Sequence, residues 1–258
     1  MKVYTEDLPD VSKYLENYKS KSLEYFDGQL QSYLGPIQRY HKIDASTKIL
    51  EIGTGVGWFP IRCKQRGWDC IGLEISPQLI EYAKQLGARH GVVPDIRLGN
   101  IEEADFGSEV FDIVVASNVF EHIEHWKESL AIIYRMLKPA GVLFFESTNK
   151  FSFVSHEYKG VPLYGWLPDG MRYGVRKMVQ GPDIMKLGID FNQFRHANLR
   201  KEFKKAGFSG IYDRIEIAEE SAVSSEFRKK VVRLSRANSL IKAASLTFSD
   251  ATRFICVK

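Results

Sequence analysis

The sequence predicts an α/β fold, a doubly wound and mostly parallel seven-stranded sheet. Three observations support this prediction. Apolar strand segments alternate with amphipathic helix segments from residue 48 to residue 148, a glycine-rich turn follows the first strand, and an acidic residue ends the second. Strands separated by helices of this length need right-handed crossovers, which make the strands parallel and cover both faces of the sheet.

The segment before the first strand is predicted to be helical. Its aromatic residues recur at spacings of three, four and seven, which suit amphipathic helices. Gly35 and Pro36 are expected to interrupt these helices. We interpret residues 1–45 as an N-terminal helical cap that helps to close a cleft, and residues 46–258 as the main domain. The aromatic residues are Tyr14, Tyr18, Tyr25, Phe26, Tyr33 and Tyr40.

The first half of the alternating region contains three predicted strands and two helices. The strands are "KILEIG", "DCIGLEIS" and "PDIRLGN". The first helix, "GWFPIRCKQRG", is closed by Gly67. The second, "SPQLIEYAKQLGARHG", has Ser76 as its N-cap and Pro77 at its first position, which are favourable residues at a helix start.

The second half continues with "FDIVVASN" as the fourth strand and "VLFFEST" as the fifth. Between them, "HWKESLAIIYRMLKPAG" is a helix stopped by Pro139 and Gly141. Further on, "HANLRKEFKKAGF" is a helix whose last glycine is a candidate C-cap. The strand-like "GIYDRIEIA" and the terminal strand "TRFICVK" complete the sheet.

Two insertions break this rhythm. Residues 150–193 are rich in glycine, proline and aromatic side chains, and an irregular insertion of this length is usually functional, so we interpret it as a substrate lid. Residues 219–250 are a second, helical insertion. Its basic part, 226–242, has Phe227, Val231, Leu234 and Ile241 at helical spacing, and is either a solvated helix or a peripheral contact with anionic membrane.

Composition sets the broad class. The chain has 258 residues, 44% of them apolar, and its 36 basic and 32 acidic side chains give a net charge of +4, which does not indicate a nucleic-acid partner. Cys63, Cys70 and Cys256 show neither disulfide nor metal-ligand spacing. The start "MKVYTEDLPD" lacks an apolar signal core, and no run of 18 apolar residues is present. We therefore expect a cytoplasmic protein.

The stretch "ILEIGTGVGW" indicates a nucleoside site. Gly53, Gly55 and Gly57 supply a bare first strand-to-helix turn, which lets backbone approach a ligand closely. Glu74 stands 21 positions after Gly53, where a carboxylate can accept hydrogen bonds from both ribose hydroxyls. The third glycine comes one residue too early for the dinucleotide pattern and Trp58 follows it, which disfavours a nicotinamide cofactor.

With these motifs the sequence resembles the class I S-adenosylmethionine-dependent methyltransferases, whose fold is Rossmann-like. Their first motif matches Glu51 with the three glycines, and their acidic ribose ligand matches Glu74. The likeness runs from about Thr47 to Phe208 outside the insertion, and it also includes "FDIVVASNVFEHI", "MLKPAGVLFFEST" and "LRKEFKKAGF".

The resemblance implies S-adenosylmethionine as cofactor and a role for each matching residue. Glu51 and the glycine loop would hold the methionine end, and Glu74 the ribose. Ser117 or Asn118 would offer main-chain carbonyls to the amino group. Ile75 would pack on the adenine, with Asn100 and Ile101 as further adenine contacts. The implied cofactor residues are Glu51, Gly53, Thr54, Gly55, Gly57, Glu74, Ile75, Asn100, Ile101, Ser117 and Asn118.

The candidate general bases are His122 and His156. His122 in "FEHIEH" follows the fourth strand, on the rim where ligands bind, and a histidine titrates near neutrality. His156 lies in the insertion. Each could instead be an ordinary loop residue. Quinone O-methyltransferases of the family have a glutamate three residues before the Glu–His pair that helps to bind a cation, but this chain has Asn118 there, so no metal is predicted.

These observations favour S-adenosylmethionine-dependent O-methylation of a small-molecule acceptor, a sugar, an aromatic or a lipid-linked metabolite. The reaction is an in-line displacement in which alignment of the acceptor supplies most of the acceleration. Two alternatives remain open at this point. One is a nicotinamide-dependent oxidoreductase, and the other is a cofactor-binding or membrane-surface module without turnover.

Overall fold

The computed structural model of the chain describes residues 9–154, 161–181, 189–219 and 225–258. Within these ranges the strands are β1 Lys48–Ile52, β2 Asp69–Glu74, β3 Asp95–Leu98, β4 Phe111–Ser117, β5 Leu137–Thr148, β6 Gly210–Asp213 and β7 Ala251–Val257. They form one sheet in the order β3-β2-β1-β4-β5-β7-β6, and β7 runs antiparallel to both its neighbours. The predicted mostly parallel, seven-stranded sheet is confirmed.

The helices largely follow the sequence pattern. In α4 the Ser76 hydroxyl accepts a hydrogen bond of 3.3 Å from the N–H of Leu79, and α7 ends at Gly207 with φ of 112°. Both are the predicted caps. The helix bounds are α1 Pro9–Lys19, α2 Asp27–Gln38, α3 Trp58–Gln65, α4 Pro77–Arg89, α5 Trp126–Met136, α6 Asp169–Gln180, α7 His196–Ala206, α8 Arg214–Ile217, α9 Glu226–Ala237 and α10 Ser239–Thr247.

The sheet separates two apolar layers because successive strand residues point to opposite faces. On one face, Ile49, Ile113 and Phe144 pack with the side chains of α1 to α4. On the other, Leu50 and Phe145 pack with residues of α5 and α7. The N-terminal helices therefore lie over the face that carries the odd-numbered residues of β1 and β4.

Three predicted boundaries are wrong. Helix α5 is not stopped by Pro139 and Gly141 but ends at Met136, because Leu137 is already extended and begins β5. Gly35 and Pro36 do not interrupt a helix, because α2 continues to Gln38 with Pro36 in its last turn. Burial of Leu34 and Ile37 against the core outweighs the loss of one backbone hydrogen bond there. The segment "GIYDRIEIA" is a strand only as far as Asp213. The Asp213 carboxylate accepts hydrogen bonds from the next residues' N–H groups and starts α8 in a capping box.

The basic segment 226–242 also differs from its expected arrangement. It forms α9 and the start of α10, separated at Asn238, whose side chain accepts hydrogen bonds from the first N–H groups of α10. Helix α9 buries Val232 and Ser235. Phe227 and Leu234 of the predicted apolar stripe remain 76% and 44% exposed. The packed face of α9 is therefore not that stripe.

Among the helices of the described ranges, none combines the length and the apolar character that spanning a bilayer requires.

Candidate functional site

The glycine turn lies against the carboxyl end of β2. Gly53, Gly55 and Gly57 have φ of 71°, 55° and 74°, a region that L-residues with a side chain rarely adopt. The N–H groups of Gly53 and Thr54 both donate to the carbonyl of Leu73, at 2.8 and 3.2 Å. The turn between β1 and α3 is thereby fixed beside the strand that carries Glu74.

The glycines are also required by close packing. A Cβ at Gly53 would lie 2.7 Å from Cγ2 of Val119. A Cβ at Gly57 would lie 2.5 Å from Cβ of Ala83 on α4. The early third glycine therefore serves the packing of neighbouring helices. Trp58, the next residue, is buried and its ring stacks on Phe26 with centroids 5.2 Å apart.

Glu74 is buried behind this turn. One carboxylate oxygen accepts a hydrogen bond of 2.7 Å from the N–H of Gly55, and the other accepts from Ile75 and Ser76 at 2.9 and 3.1 Å. Burial raises the pKa of Glu74, against the opposing effect of these backbone donors. The carboxylate therefore orients the glycine turn from within.

Glu51 and Thr54 form the floor of the same turn. Both are buried, and the Thr54 hydroxyl donates to the Glu51 carboxylate. Burial raises the pKa of Glu51 well above its usual range; the hydrogen bond from Thr54 opposes this shift, and the nearby charge of Glu74 adds to it. Two carboxyl groups thus share a space that has little water, a setting in which a cationic ligand would be stabilised.

The end of β4 completes the site and connects it with the N-terminal helices. The hydroxyl of Ser117 accepts a hydrogen bond of 2.8 Å from the phenol of Tyr33, which in turn accepts one of 2.6 Å from Gln29. Asn118 is exposed and has φ of 51°, a left-handed conformation that turns the chain away from the strand. Its N–H donates to the carbonyl of Glu146.

These residues enclose a cleft of about 150 Å³. The sequence predicted the residues at the floor of this cleft, Glu51, Thr54 and the glycine turn. For its roof it predicted only that the N-terminal aromatic helices cover the cleft. It missed Gln29 and Tyr33 as individual site residues, because the spacing of aromatic residues on a helix does not reveal which ones face the cleft. The lining residues are Tyr18, Phe26, Gln29, Tyr33, Glu51, Gly53, Thr54, Gly55, Val56, Trp58, Ser117 and Asn118.

The expected adenine contacts lie beyond β2 and β3. Ile75 is half-buried, directly after Glu74. Asn100 is buried, and its side-chain amide contacts Glu102 through both ends, accepting from the Glu102 N–H and donating to its carboxylate at 3.1 Å each. Ile101 is 3% exposed and belongs to the core. Asn100 thus holds a turn in this structure.

The structure describes only one of the two candidate bases. His122 is half-buried after β4, and its Nδ1 lies 3.2 Å from the carbonyl oxygen of Ile189 in the insertion. A carbonyl oxygen only accepts hydrogen bonds, so Nδ1 carries the proton in this contact. His156 lies outside the described residues. Within those residues, no group of three or more His, Cys, Asp or Glu side chains could hold a metal ion.

Comparisons with known proteins agree with this geometry. Residues 50–145 match the family model described as "Methyltransferase domain". The ubiquinone biosynthesis O-methyltransferase of Mesorhizobium japonicum is 26% identical over 179 residues, 67% of this chain and 70% of that protein. A structure of an S-adenosylmethionine-dependent methyltransferase from Archaeoglobus fulgidus has a TM-score of 0.57, 19% identity, and coverage of 96% and 99%.

The chain therefore contains a methyltransferase domain, and the comparisons support the class I, S-adenosylmethionine-dependent family. The fold extends well beyond the matched domain. Phosphoethanolamine N-methyltransferase 2 of Haemonchus contortus, bound to S-adenosylhomocysteine, aligns with 94% of this methyltransferase and 58% of that chain, at a TM-score of 0.56 and 16% identity. Sequence alignments with the next three ubiquinone O-methyltransferases span between 50% and 62% of those relatives' length.

The residues present fit the cofactor of this family. The bare turn at Gly55 offers close backbone approach, and the Glu74 carboxylate, with three of its roughly four lone-pair sites taken by backbone N–H groups, keeps about one for a ribose hydroxyl. Glu51 and Glu74 place two carboxyl groups beside the same turn, and in their ionised form these groups would favour a positively charged ligand. The methyltransferase therefore has hydrogen-bond acceptors and an open backbone turn that fit S-adenosylmethionine.

Proposed function

We propose that this methyltransferase transfers a methyl group from S-adenosylmethionine to an oxygen atom of a small-molecule acceptor. The observation that carries the proposal is the glycine turn held over the buried carboxylate of Glu74. Relatives named ubiquinone biosynthesis O-methyltransferase support transfer to oxygen. A nicotinamide-dependent oxidoreductase is correspondingly disfavoured.

The residues would bind the cofactor in the following way. Glu51, Thr54 and the glycine loop hold the methionine end, Glu74 the ribose hydroxyls, and Ile75 the adenine. When bound, the cofactor supplies an activated methyl group. The cleft of about 150 Å³ is smaller than the ~300–1,000 Å³ that encloses a drug-sized ligand, so its adenosine would extend toward Ile75. The main-chain carbonyls of Ser117 and Asn118 remain candidates for the amino group.

The acceptor would bind beneath the insertion 150–193. Phe153 of this insertion stacks on Phe248 at the end of α10, with centroids 5.3 Å apart, and Trp166 lies 6.3 Å from the same ring. All three are about half exposed. An aromatic, partly desolvated lid of this kind suits a flat, sugar-like or lipid-linked acceptor. Tyr164 is buried and anchors the insertion instead.

His122 is the candidate base for an acceptor hydroxyl. The insertion's Ile189 carbonyl fixes the orientation of its ring. With an acceptor identified, we expect His122→Gln to lower kcat with little effect on KM, because a general base acts in the transfer step and not in binding. His125→Gln is the matched control, because His125 is exposed. An unaltered kcat in His122→Gln would remove this histidine from the mechanism.

Calorimetry tests the proposed function most directly. Purified protein is titrated with S-adenosylmethionine, S-adenosylhomocysteine and NADH, and then incubated with S-adenosylmethionine and a panel of hydroxylated small molecules. We expect heat with the first two compounds and a mass increase of one methyl group in at least one acceptor. Binding of NADH alone would favour the oxidoreductase. Cofactor binding without any methylated product would favour a module without turnover.

Peripheral membrane contact is an accessory proposal for α9 and α10. Phe227 and Leu240 are 76% and 79% exposed beside the exposed basic side chains Arg228 and Lys230, a combination that favours anionic lipid. The available basic surface is smaller than the sequence suggested. Lys242 forms ion pairs with Asp213 and Glu216 at 2.8 and 2.9 Å, and Arg236 donates to the carbonyls of Ile215 and Ala218.

Sedimentation with phosphatidylserine vesicles tests this contact. We expect the double variant Arg228→Gln/Lys230→Gln to pellet several-fold less than the parent protein, since each basic residue near such a surface contributes on the order of 1 kcal/mol. Lys201→Gln/Lys204→Gln on α7 removes the same charge elsewhere and should pellet normally. Equal pelleting of all three proteins would place the lipid contact away from Arg228 and Lys230, and no pelleting of the parent protein would exclude it. In either case the location that we propose for the enzyme is the cytoplasm.

A further inference from the structure

A row of polar side chains crosses three strands at the carboxyl edge of the sheet. Ser117 on β4 pairs in register with Glu146 on β5, and Glu146 pairs with Arg253 on β7. Residues directly opposite each other on neighbouring strands point to the same face. This face is the one covered by α2, where Tyr33 bonds to Ser117.

Glu146 contacts the guanidinium of Arg253 through Nε. Its Nε donates to the Glu146 carboxylate, and its guanidinium lies 5.8 Å from the ring centroid of Phe144. Among the described residues, Arg253 has no further hydrogen bond or ion pair. The Glu146 side chain is 12% exposed and that of Arg253 is 31% exposed. A guanidinium has five donors in a planar fork, so the two terminal nitrogens keep four N–H groups for a ligand.

The position of this pair connects it with the cleft. Ligands of open α/β sheets bind beyond the carboxyl ends of the parallel strands. Neighbouring strands lie about 4.8 Å apart, so the backbone of Arg253 is roughly 10 Å from that of Ser117. Burial raises the pKa of the Tyr33 phenol, and the negative charge of Glu146 raises it further. The Glu146 carboxylate is therefore close enough to affect the pKa of Tyr33, which forms part of the roof of the cleft.

We propose that Arg253, oriented by Glu146, binds an anionic oxygen group of the methyl acceptor, a carboxylate or a phosphate. The terminal nitrogens of an arginine whose Nε is fixed match two oxygens of such a group, which gives orientation as well as attraction. This inference rests on the proposed function, since it assigns the acceptor class of the same site. It makes Arg253 a specificity-determining residue for the transfer.

The test measures binding of anionic probes to the protein saturated with S-adenosylhomocysteine. Benzoate is compared with benzamide, and phenyl phosphate with benzenesulfonamide, so that each anion has a neutral counterpart of similar shape. We expect at least one anion to bind about tenfold more tightly than its neutral counterpart, the usual gain of a charge-assisted pair. Arg253→Gln should abolish that preference, and Arg253→Lys should restore part of it.

Two further variants separate recognition from stability. Glu146→Gln keeps an acceptor for Nε and removes the opposing charge, so anion affinity should rise about threefold or more. If the ion pair were only structural, Arg253→Gln and Glu146→Gln would both lower the stability of the protein, and neither would change its affinity for anions selectively. Arg39→Gln is the matched control, because Arg39 pairs with Glu219 on the surface, and it should bind the probes as the parent does.

The outcomes distinguish this inference from the proposed function. If the parent protein did not bind S-adenosylhomocysteine, this result would contradict the proposed function itself. Normal S-adenosylhomocysteine binding with no anion bound at about 10 mM, or with a preference that survives in Arg253→Gln, would overturn the role of Arg253 alone. Restricting the preference to one of the two anions assigns the group as carboxylate or phosphate.

Discussion

The phenol of Tyr33, on the second N-terminal helix, donates a hydrogen bond of 2.8 Å to the hydroxyl of Ser117, the last residue of β4. The two residues are 84 positions apart in the chain. The bond ties the roof of the cleft to the strand end that turns into Asn118 and His122. The same helix packs Tyr33 against Phe144 with ring centroids 4.7 Å apart.

Tyr33→Phe should lower the free energy of unfolding by about 0.5–1.5 kcal/mol, because the change removes the shared partner of the half-buried Ser117 hydroxyl and the exposed Gln29 amide. Urea denaturation measures it. Combining the change with Ser117→Ala should show a coupling of about 1 kcal/mol. Tyr25→Phe is the control, since Tyr25 is 63% exposed. Simple additivity of the two changes would mean that this bond contributes nothing to stability.

Gly57→Ala should destabilise the protein by roughly 2 kcal/mol or more. The added Cβ would lie 2.5 Å from Cβ of Ala83 and 2.9 Å from Cδ1 of Ile96, and φ of 74° is unfavourable for alanine. Gly174→Ala within α6 meets nothing within 4 Å and should be neutral or slightly stabilising. Equal melting temperatures for the two variants would contradict this account of the glycine turn.

Glu74→Gln should weaken binding of S-adenosylhomocysteine by about 1.5–3 kcal/mol for each charge-assisted hydrogen bond that is lost. The new amide group would also face the N–H of Gly55 or of Ile75 and Ser76 and disturb the turn. Calorimetry gives the affinity, with Glu103→Gln as an exposed control. Unchanged affinity would remove Glu74 from the ribose site.

His196 should make the protein less stable in acid. Its ring is 7% exposed, and both ring nitrogens lack a hydrogen-bond partner among the described residues. Burial, with the charges of Arg214 and Arg200, lowers its pKa from 6.5 to about 3, against the smaller opposing effect of Asp250. The unfolded chain therefore takes up a proton below pH 6.5 that the folded protein does not. Stability contributed by this histidine is complete above pH 6.5 and falls toward pH 3.

At pH 5 this loss is about 2 kcal/mol, from 1.36 kcal/mol for each of the 1.5 pH units below 6.5. His196→Leu should reduce the pH dependence of the unfolding free energy between pH 7.5 and 5 by that amount. His90→Gln, on an exposed residue, should leave the dependence unchanged. Parallel curves for the parent and His196→Leu would contradict the assignment.

Local sequence pattern determined most of the architecture. The alternation of apolar strands with amphipathic helices gave the parallel core, because burial with period 2 or 3.6 can be recognised in the chain itself. The Ser76 cap and the glycine turn were also recognisable, since a hydrogen-bonding side chain or a positive φ restricts the residue type locally. Glu51, Gly53, Gly55 and Ser117 line one cleft, and their role in binding the cofactor stays a prediction.

Other features depended on contacts between distant residues. Pro36 remains inside α2 because Leu34 and Ile37 are buried on the core, and α9 buries Val232 and Ser235 in place of the predicted apolar stripe. Local propensity cannot report such packing.

The sequence by itself determined the fold class, the resemblance to the family and the residues at the floor of the cleft. The tertiary structure decided the roof, where Tyr33 meets Ser117, and the row from Ser117 through Glu146 to Arg253. Strand register and helix docking set these pairings. They arise from burial summed over the whole core, so no short stretch of sequence contains them.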